Sequence, residues 1–242
     1  MKPLIGYDWP EGQSKQVAYI SQDHHIHEFS VSMGGSWQHA DVTQLSGAPL
    51  ASSRFILGYA WPEGGTKQVA YLAQDGHVHE LWMSAGGTWQ HADVSALTGA
   101  PPAVRVTAGY SWAEGHSKQL VFVGDDHHIH ELCAEAGKPW RHVDLTTITD
   151  TPLPGSHFMV GYGWSEGRSK QVAYVGQDGH IHELYLEAGG VWQHIDLSAI
   201  TNAPRAVDLM VGYGWPEGRC KQVAFVSEDR HIHELCMVVE QN

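Results

Sequence analysis

A repeat of 51 or 52 residues constrains this 242-residue chain more than any other feature. A motif of the form Asp-x-His-(Ile/Val)-His-Glu occurs five times, and its second histidine falls at positions 27, 79, 130, 182 and 233. The chain is therefore one unit repeated five times, over approximately 1–49, 50–101, 102–152, 153–204 and 205–242. Such a period indicates stacked supersecondary units, each of which buries its apolar surface against its neighbours.

Each repeat has the pattern of four short β-strands. Segments rich in Val, Ile, Tyr and Trp are separated by Gly, Pro, Asp and Asn, which is typical of strands joined by tight turns. In the fourth repeat, Asp178-Gly179 and Gly189-Gly190 are predicted hairpin turns. The predicted strands of a unit lie at 170–176, 180–187, 191–197 and, before the next Gly-Tyr-x-Trp motif, 208–213.

Four strands per unit and five units predict an all-β fold, a five-bladed β-propeller built as a single domain from residues 1–242. A β-solenoid is the competing architecture, although its repeats are usually shorter. The fifth repeat ends without a Trp-x-His-x-Asp strand, so the last blade should lack one outer strand. That open edge would allow self-association with another chain.

Composition limits the classes of partner. The formal charge is -13 with histidine neutral, which disfavours binding to nucleic acid or to an anionic membrane surface. Three cysteines, which do not recur at one repeat position, argue against a disulfide framework. The first residues have no apolar signal core, and no apolar run is long enough to cross a membrane. We expect a cytoplasmic protein, or one released without a classical signal peptide.

The paired histidines have three interpretations. On a strand, His180 and His182 point to the same face, where imidazoles at this spacing could chelate a transition metal such as Zn or Cu. They could instead contact a sugar. They could also form a repeated structural hydrogen bond to the backbone or to the Asp of Trp-x-His-x-Asp. Five equal copies favour the structural role, because a catalytic metal needs one asymmetric centre.

The glutamate of the motif is a candidate ligand-binding group. A carboxylate can accept two hydrogen bonds from the vicinal hydroxyls of a sugar. Alternatively, it forms an ion pair with the Lys of the Lys-Gln pair on the neighbouring strand. The five copies are Glu28, Glu80, Glu131, Glu183 and Glu234.

Tryptophan and glutamine residues also recur in every repeat and are further candidates for binding a ligand. The first tryptophan of each repeat lies in a predicted turn, where it would cover a pyranose face or else plug a gap between blades. The second tryptophan follows a Gly-Gly turn and is predicted to be core. The glutamine of the Lys-Gln pair would donate to sugar hydroxyls, or belong to a solvated strand end. The first tryptophans are Trp9, Trp61, Trp112, Trp164 and Trp215, and the glutamines are Gln16, Gln68, Gln119, Gln171 and Gln222.

The stretch KQVAYVGQDGHIHELYLEAGGVWQ resembles the blade repeat of the fungal and bacterial fucose-specific propeller lectins. In that family the sugar lies between adjacent blades, held by an Arg of the first strand, the Glu of I-x-E and aromatic side chains. The resemblance implies that the five motif glutamates and the first tryptophans bind the sugar. The chain departs from the family pattern in having Gln at the Arg position and five repeats where six are usual.

We therefore predict a multivalent carbohydrate-binding protein, a lectin with sites between blades, without catalysis and without a cofactor. Its partners would be glycans or glycoconjugates. No phosphate loop, nucleophile elbow or Cys/His nucleophile pair is present in the sequence. The alternative function is a metal-dependent enzyme in which inward-facing histidines ligate one ion in the propeller channel. The candidate ligands are His27, His79, His130, His182 and His233. A protein-interaction scaffold is a third possibility.

Overall fold

The computed structural model describes residues 4–238, which form five β-sheets, one for each repeat. The first sheet contains β1 (Leu4–Trp9), β2 (Ser14–Ile20), β3 (Ile26–Ser32) and β4 (Gln38–Asp41). The second contains β5 (Ala51–Trp61), β6 (Thr66–Ala73), β7 (Val78–Ser84) and β8 (Gln90–Asp93). The third contains β9 (Ala103–Trp112), β10 (Ser117–Gly124), β11 (Ile129–Glu135) and β12 (Arg141–Asp144).

The last two repeats form the remaining sheets. The fourth sheet contains β13 (Pro154–Trp164), β14 (Ser169–Gly176), β15 (Ile181–Glu187) and β16 (Gln193–Asp196). The fifth contains β17 (Ala206–Trp215), β18 (Cys220–Ser227) and β19 (Ile232–Val238). Each sheet keeps its strands in chain order. Within the described residues the fifth sheet has three strands, as the sequence predicts.

The chain divides into two compact units. The first holds the chain up to Ser111 together with Ser117–Asp126 and Leu132–His142. The second holds Trp112–His116, His127–Glu131 and the chain from Val143 onward. The third repeat thus contributes to both.

Four short α-helices, which the sequence analysis did not predict, follow the last strand of the four-stranded sheets. They are α1 (Val42–Ser46), α2 (Val94–Thr98), α3 (Leu145–Thr149) and α4 (Leu197–Thr201). Each begins at the Asp of Trp-x-His-x-Asp; for example, the backbone N–H of Ala199 donates to Asp196 Oδ1 at 2.8 Å. Single 3-10 turns follow the first tryptophan at Pro10–Gly12, Pro62–Gly64 and Ala113–Gly115. Among residues 4–238, no helix has the length and apolar character needed to span a bilayer.

Strand register gives each sheet two distinct faces, because directly paired residues point to the same side. In the fourth sheet Glu183 pairs with Ala173, and Tyr185 pairs with Gln171, which pairs with Tyr162. We call this side, with its equivalents in other repeats, the carboxylate face.

The opposite side is the lysine face. It carries Lys170 together with Val172, Tyr174 and Leu184 in the fourth sheet. In the first unit, Ala18 and Ile26 from the carboxylate face of the first sheet share a core with Val69, Tyr71 and Leu81 from the lysine face of the second. The core therefore lies between sheets, which explains why the strands are apolar on both sides.

Candidate functional site

Four buried ion pairs join the carboxylate face of one sheet to the lysine face of the next. Both ends of every pair are at most 7% exposed. The Lys170 Nζ lies 2.7 and 2.8 Å from the two carboxylate oxygens of Glu131. We name the four groups the first to fourth junction clusters, built around Glu28–Lys67, Glu80–Lys118, Glu131–Lys170 and Glu183–Lys221.

These pairs confirm the ion-pair alternative for the motif glutamate, with one correction. The sequence analysis placed the lysine on the neighbouring strand, but it comes from the next sheet. In its own sheet Glu183 lies opposite Ala173, whereas Lys170 points to the other face. The solvated strand end proposed for the Lys-Gln pair is likewise wrong for these four buried lysines.

A tyrosine supplies a second hydrogen bond to the carboxylate. The Tyr59 hydroxyl donates to Glu80 at 2.7 Å, and the Tyr7 hydroxyl donates to Glu28 at 2.6 Å. Burial, followed by the nearby charge of Glu80, raises the pKa of Tyr59 well above its ordinary value. Burial lowers the pKa of Lys67, and the Glu28 carboxylate opposes that shift. The clusters are thus polar groups that satisfy one another inside an apolar junction.

Aromatic rings bracket each lysine ammonium. The Lys67 Nζ lies 5.4 Å from the ring centroid of Trp9 and 4.9 Å from that of Trp89. Lys118 has the same relation to Trp61 and Trp140, and Lys170 to Trp112 and Trp192. At these distances the ring faces attract the cation.

The glycine of Trp-x-Glu-Gly fixes the position of the first tryptophan. A Cβ at Gly167 would lie 2.3 Å from the Trp164 ring. The ring therefore folds back over its own turn. Trp9, Trp112 and Trp164 are buried, which agrees with the alternative in which this residue fills a gap between sheets, whereas Trp215 is 48% exposed.

The fourth junction cluster differs from the others in that, among residues 4–238, no second tryptophan lies beside its lysine. Lys221 instead has Tyr185 as its second ring, 5.5 Å away, besides Trp164 at 5.3 Å. A cavity of about 430 Å³ opens there, lined by residues that include Trp164, Glu166, Tyr185, Glu187 and Lys221.

Polar groups of this cavity are available to a ligand. Glu187 is exposed and Glu166 is half-buried. The indole N–H of Trp164 is buried without a hydrogen-bond acceptor among the described residues, as are those of Trp9, Trp61 and Trp112, so it does not distinguish this cavity.

The other predicted ligand-binding residues lie in different environments. The glutamines are buried, and in the first four repeats their amides donate to a hydroxyl two residues earlier, as from Gln171 Nε2 to Ser169 Oγ at 2.6 Å. Glu28, Glu80, Glu131 and Glu183 are at most 3% exposed, whereas Glu234 is exposed. The sequence analysis missed Glu166 and Glu187 as cavity residues. The repeated Glu of Trp-x-Glu-Gly was a signal for Glu166, whereas the position of Glu187 carries a glutamate in only one other repeat, at Glu135.

The first histidine of the motif has the structural role that the sequence favours. In four repeats its Nδ1 lies 2.8–2.9 Å from the Asp that caps the following helix. The side-chain hydrogen bond that His77 donates to Asp93 raises the pKa of His77. The four pairs are His25–Asp41, His77–Asp93, His128–Asp144 and His180–Asp196.

The second histidine is buried in the second, third and fourth repeats, and in the second repeat it belongs to a chain of polar contacts. His79 Nδ1 lies 2.7 Å from His91 Nε2, and His79 Nε2 lies 3.0 Å from Asp75. Asp75, His77, His79 and Asp93 bring one potential ligand atom each within 4.8 Å of the others, so they could hold a metal ion. A single ion shared by the second histidines of several repeats remains a prediction.

No protein-family model matches this chain, and no curated protein matches it. Solved structures do match. BP39L lectin from Burkholderia pseudomallei has a TM-score of 0.69 at 14% identity, covering 99% of this chain and 67% of the lectin. AofleA from Arthrobotrys oligospora has a TM-score of 0.64 at 13% identity, covering 98% of this chain and 68% of AofleA.

The same comparison includes a lectin bound to a sugar. A point mutant of the Aleuria aurantia lectin, in complex with α-methyl-L-fucoside, has a TM-score of 0.61 at 14% identity, covering 98% of this chain and 74% of the lectin. At this level of identity the likeness establishes the fold. The chain therefore has the fold of these propeller lectins, which confirms the resemblance seen in its repeat.

Proposed function

We propose that this protein is a carbohydrate-binding protein, a five-bladed β-propeller lectin that binds sugar between adjacent blades and catalyses no reaction. The observation that carries the proposal is the open cavity at the fourth junction cluster, in a chain with a lectin fold. Its volume of about 430 Å³ lies at the lower end of the range of small-ligand sites and suits one or two sugar rings.

The lining of the cavity suits a sugar. The carboxylates of Glu166 and Glu187 can accept hydrogen bonds from sugar hydroxyls, which are strong because the acceptor is charged. The Tyr185 ring offers an apolar surface for the carbon face of a pyranose. The Lys221 ammonium is a donor for a ring or hydroxyl oxygen.

The first three junction clusters are filled by the second tryptophan, namely Trp89, Trp140 and Trp192. A sugar would have to displace that ring and compete with the ion pair. We therefore propose that a sugar binds first, and most tightly, at the fourth junction. Multivalent display of several sites on one rigid protein would raise avidity by ~10²–10⁴ on clustered glycans.

A glycan array with metal-free protein at neutral pH tests the proposal, and fucosides belong on it because the Aleuria lectin holds one. The array is repeated with Glu166→Gln and with Glu114→Gln, which changes the same motif position in the third repeat. We expect a coherent set of terminal sugars, bound about ten- to a hundredfold more weakly after Glu166→Gln, since one charge-assisted hydrogen bond is lost. Glu114→Gln should bind like the native protein.

A blank array would contradict the carbohydrate proposal. Equal losses in both variants would contradict the assignment of the fourth junction. Elemental analysis of the purified protein tests the alternative function. One tightly held transition metal per chain would favour the enzyme, with ligands drawn from the histidine and aspartate clusters.

A further inference from the structure

Four side chains of the metal-binding types meet at one end of the second sheet. Asp75 lies in the turn between β6 and β7, His77 immediately before β7, His79 within it, and Asp93 at the N-cap of α2. Each offers one nitrogen or oxygen atom, and the four atoms lie within 4.8 Å of one another. Four ligand atoms placed tetrahedrally around Zn²⁺ lie about 3.4 Å apart, so small side-chain movements would complete a site. We call these residues the second-repeat cluster.

Backbone N–H groups orient both carboxylates of the cluster. The N–H of His77 donates to Asp75 Oδ1 at 2.9 Å, and the N–H of Ala96 donates to Asp93 Oδ1 at 2.8 Å. The second oxygen of each carboxylate faces an imidazole ring. Asp75 Oδ2 lies 3.0 Å from His79 Nε2, and Asp93 Oδ2 lies 2.8 Å from His77 Nδ1. Each carboxylate therefore keeps one oxygen directed into the cluster, as a well-oriented metal ligand does.

The buried histidine of the cluster has an outer partner. His79 is 2% exposed, and its Nδ1 lies 2.7 Å from His91 Nε2, while its Nε2 faces Asp75. Burial, followed by the proximity of His79, lowers the pKa of His91. A neutral His91 can accept the Nδ1 proton of His79, which leaves His79 Nε2 as the ligand atom. Histidines that bind metals usually donate their other ring N–H in this way.

The charge and the ligand types favour zinc. Two carboxylates and two neutral imidazoles carry two negative charges, which a divalent cation neutralises. Four nitrogen and oxygen ligands without a thiolate suit Zn²⁺ in a tetrahedral site. Calcium and magnesium prefer six or more oxygen ligands, which this cluster does not supply.

The fourth repeat contains a second set of the same residue types. Three of its members bring ligand atoms within 4.8 Å of one another, namely Asp178, His180 and Asp196. The remaining histidine, His182, is 2% exposed, and its Nε2 lies 3.2 Å from Asp178. Its Nδ1 lies 2.9 Å from His194 Nε2, so the outer partner recurs as well. We call this set the fourth-repeat cluster.

The first repeat has the same residue types but a different turn. Ser21 stands where the second repeat has Ala73, and its hydroxyl donates to Asp23. That hydrogen bond holds the Asp23 carboxylate within the turn. His27 Nδ1 is buried without a hydrogen-bond partner among residues 4–238, so the outer contact made by His79 is missing. The first repeat therefore provides a matched control.

We propose that the second-repeat and fourth-repeat clusters each bind one Zn²⁺ ion. The ion replaces the hydrogen bonds between the rings and the carboxylates, and each ring then carries its proton on the nitrogen that does not bind the ion. In the second repeat the ion links the turn before β7 to the N-cap of α2, so it stabilises the folded repeat. Each site lies within one repeat, and the inference does not depend on carbohydrate binding. It also differs from the alternative function, in which several repeats share one ion.

A zinc count tests the proposal. Metal-free protein is dialysed against low-micromolar free Zn²⁺, and bound zinc per chain is measured by elemental analysis. We expect at least two ions per chain, one fewer after Asp75→Asn, and one fewer again when Asp178→Asn is added. Asparagine keeps an oxygen that can accept the backbone N–H but lacks the charge that binds the ion. Co²⁺ serves as a second probe, because its visible absorption in a four-coordinate site should fall in the same steps.

Asp23→Asn changes the same motif position in the first repeat and should bind as many ions as the native protein. Asp75 is 43% exposed and so is Asp178, so neither change opens a core, and circular dichroism checks that the fold is kept. Zinc should also raise the Tm of the native protein more than that of the double variant. Fewer than two ions on the native protein would overturn the proposal. A count that Asp75→Asn and Asp178→Asn leave unchanged, or that Asp23→Asn lowers equally, would show adventitious binding to other histidines and overturn it too.

Discussion

The buried lysines are predicted to hold the sheets together, and Lys170→Met tests this most sharply. Methionine keeps an apolar stem of similar length between the rings of Trp112 and Trp192 but removes the ammonium. The carboxylate of Glu131, 2% exposed, then loses the cation 2.7 and 2.8 Å away. Removing one partner of a buried pair costs about 3–5 kcal/mol, because the remaining charge is left desolvated.

The first repeat supplies the matched control. Lys15 occupies the same motif position but is exposed, so Lys15→Met should cost less than about 1 kcal/mol. A double-mutant cycle then isolates the pair. Glu131→Gln removes the charge from the other side, and Lys170→Met/Glu131→Gln should cost less than the sum of the single changes, by about 1–3 kcal/mol.

Urea unfolding followed by tryptophan fluorescence measures these free energies. Lys170 and Glu131 both lie in the second compact unit, so if two transitions are seen, the shift should fall on the transition of that unit. The reasoning is refuted if Lys170→Met costs no more than Lys15→Met. It is refuted equally if the double variant costs the full sum, since the two groups would then act independently.

Two further predictions concern titration and packing. The pKa of His77 is raised by Asp93, so this contact stabilises the fold below the unfolded pKa of 6.5 and the stability is lost as pH rises through the folded value. Asp93→Asn, which can still cap the helix, should return the pKa of His77 toward 6.5 in an NMR titration, and an unchanged pKa would contradict the pairing. Trp164→Ala should cost about 3–5 kcal/mol of unfolding free energy, because the Trp164 ring is buried. Trp215→Ala should cost much less, because the Trp215 side chain is 48% exposed. Equal costs in urea unfolding would contradict the difference between the fourth and fifth sheets.

Much of the local structure is predictable because it depends on neighbours along the chain. The turn at Asp178-Gly179 requires a left-handed residue, and Gly179 has a φ of 77°. Strands β14 and β15 follow from the apolar runs on either side of that turn. The hydrogen bond between His180 and Asp196 was among the predicted interpretations, because both residues recur with the period.

The short helices are harder to predict. Helix α4 spans five residues, too few to produce a 3.6-residue apolar pattern. Its signals are local: Asp196 at the N-cap, and Asn202 in the left-handed conformation at the C-cap.

The junction clusters depend on how sheets pack, and the sequence does not display that. Glu183 and Lys221 lie 38 residues apart, on the facing sides of two sheets. From the motif alone, Glu183 was equally suited to a sugar and to a lysine, because both offer hydrogen-bond donors to a carboxylate. The cavity is also a consequence of packing, since it lies where Tyr185, from the fourth sheet itself, is the second ring beside Lys221.

The most direct test of the account follows the methyl group of Met237, which lines the fourth-junction cavity. The chain has six methionines, so ¹³C-methyl labelling gives a small set of NMR signals. On titration with the terminal sugar that the array identifies, the account predicts a saturable shift of the Met237 signal, with the signal of the buried Met159 unchanged. Saturable sugar binding that leaves Met237 unmoved would contradict it.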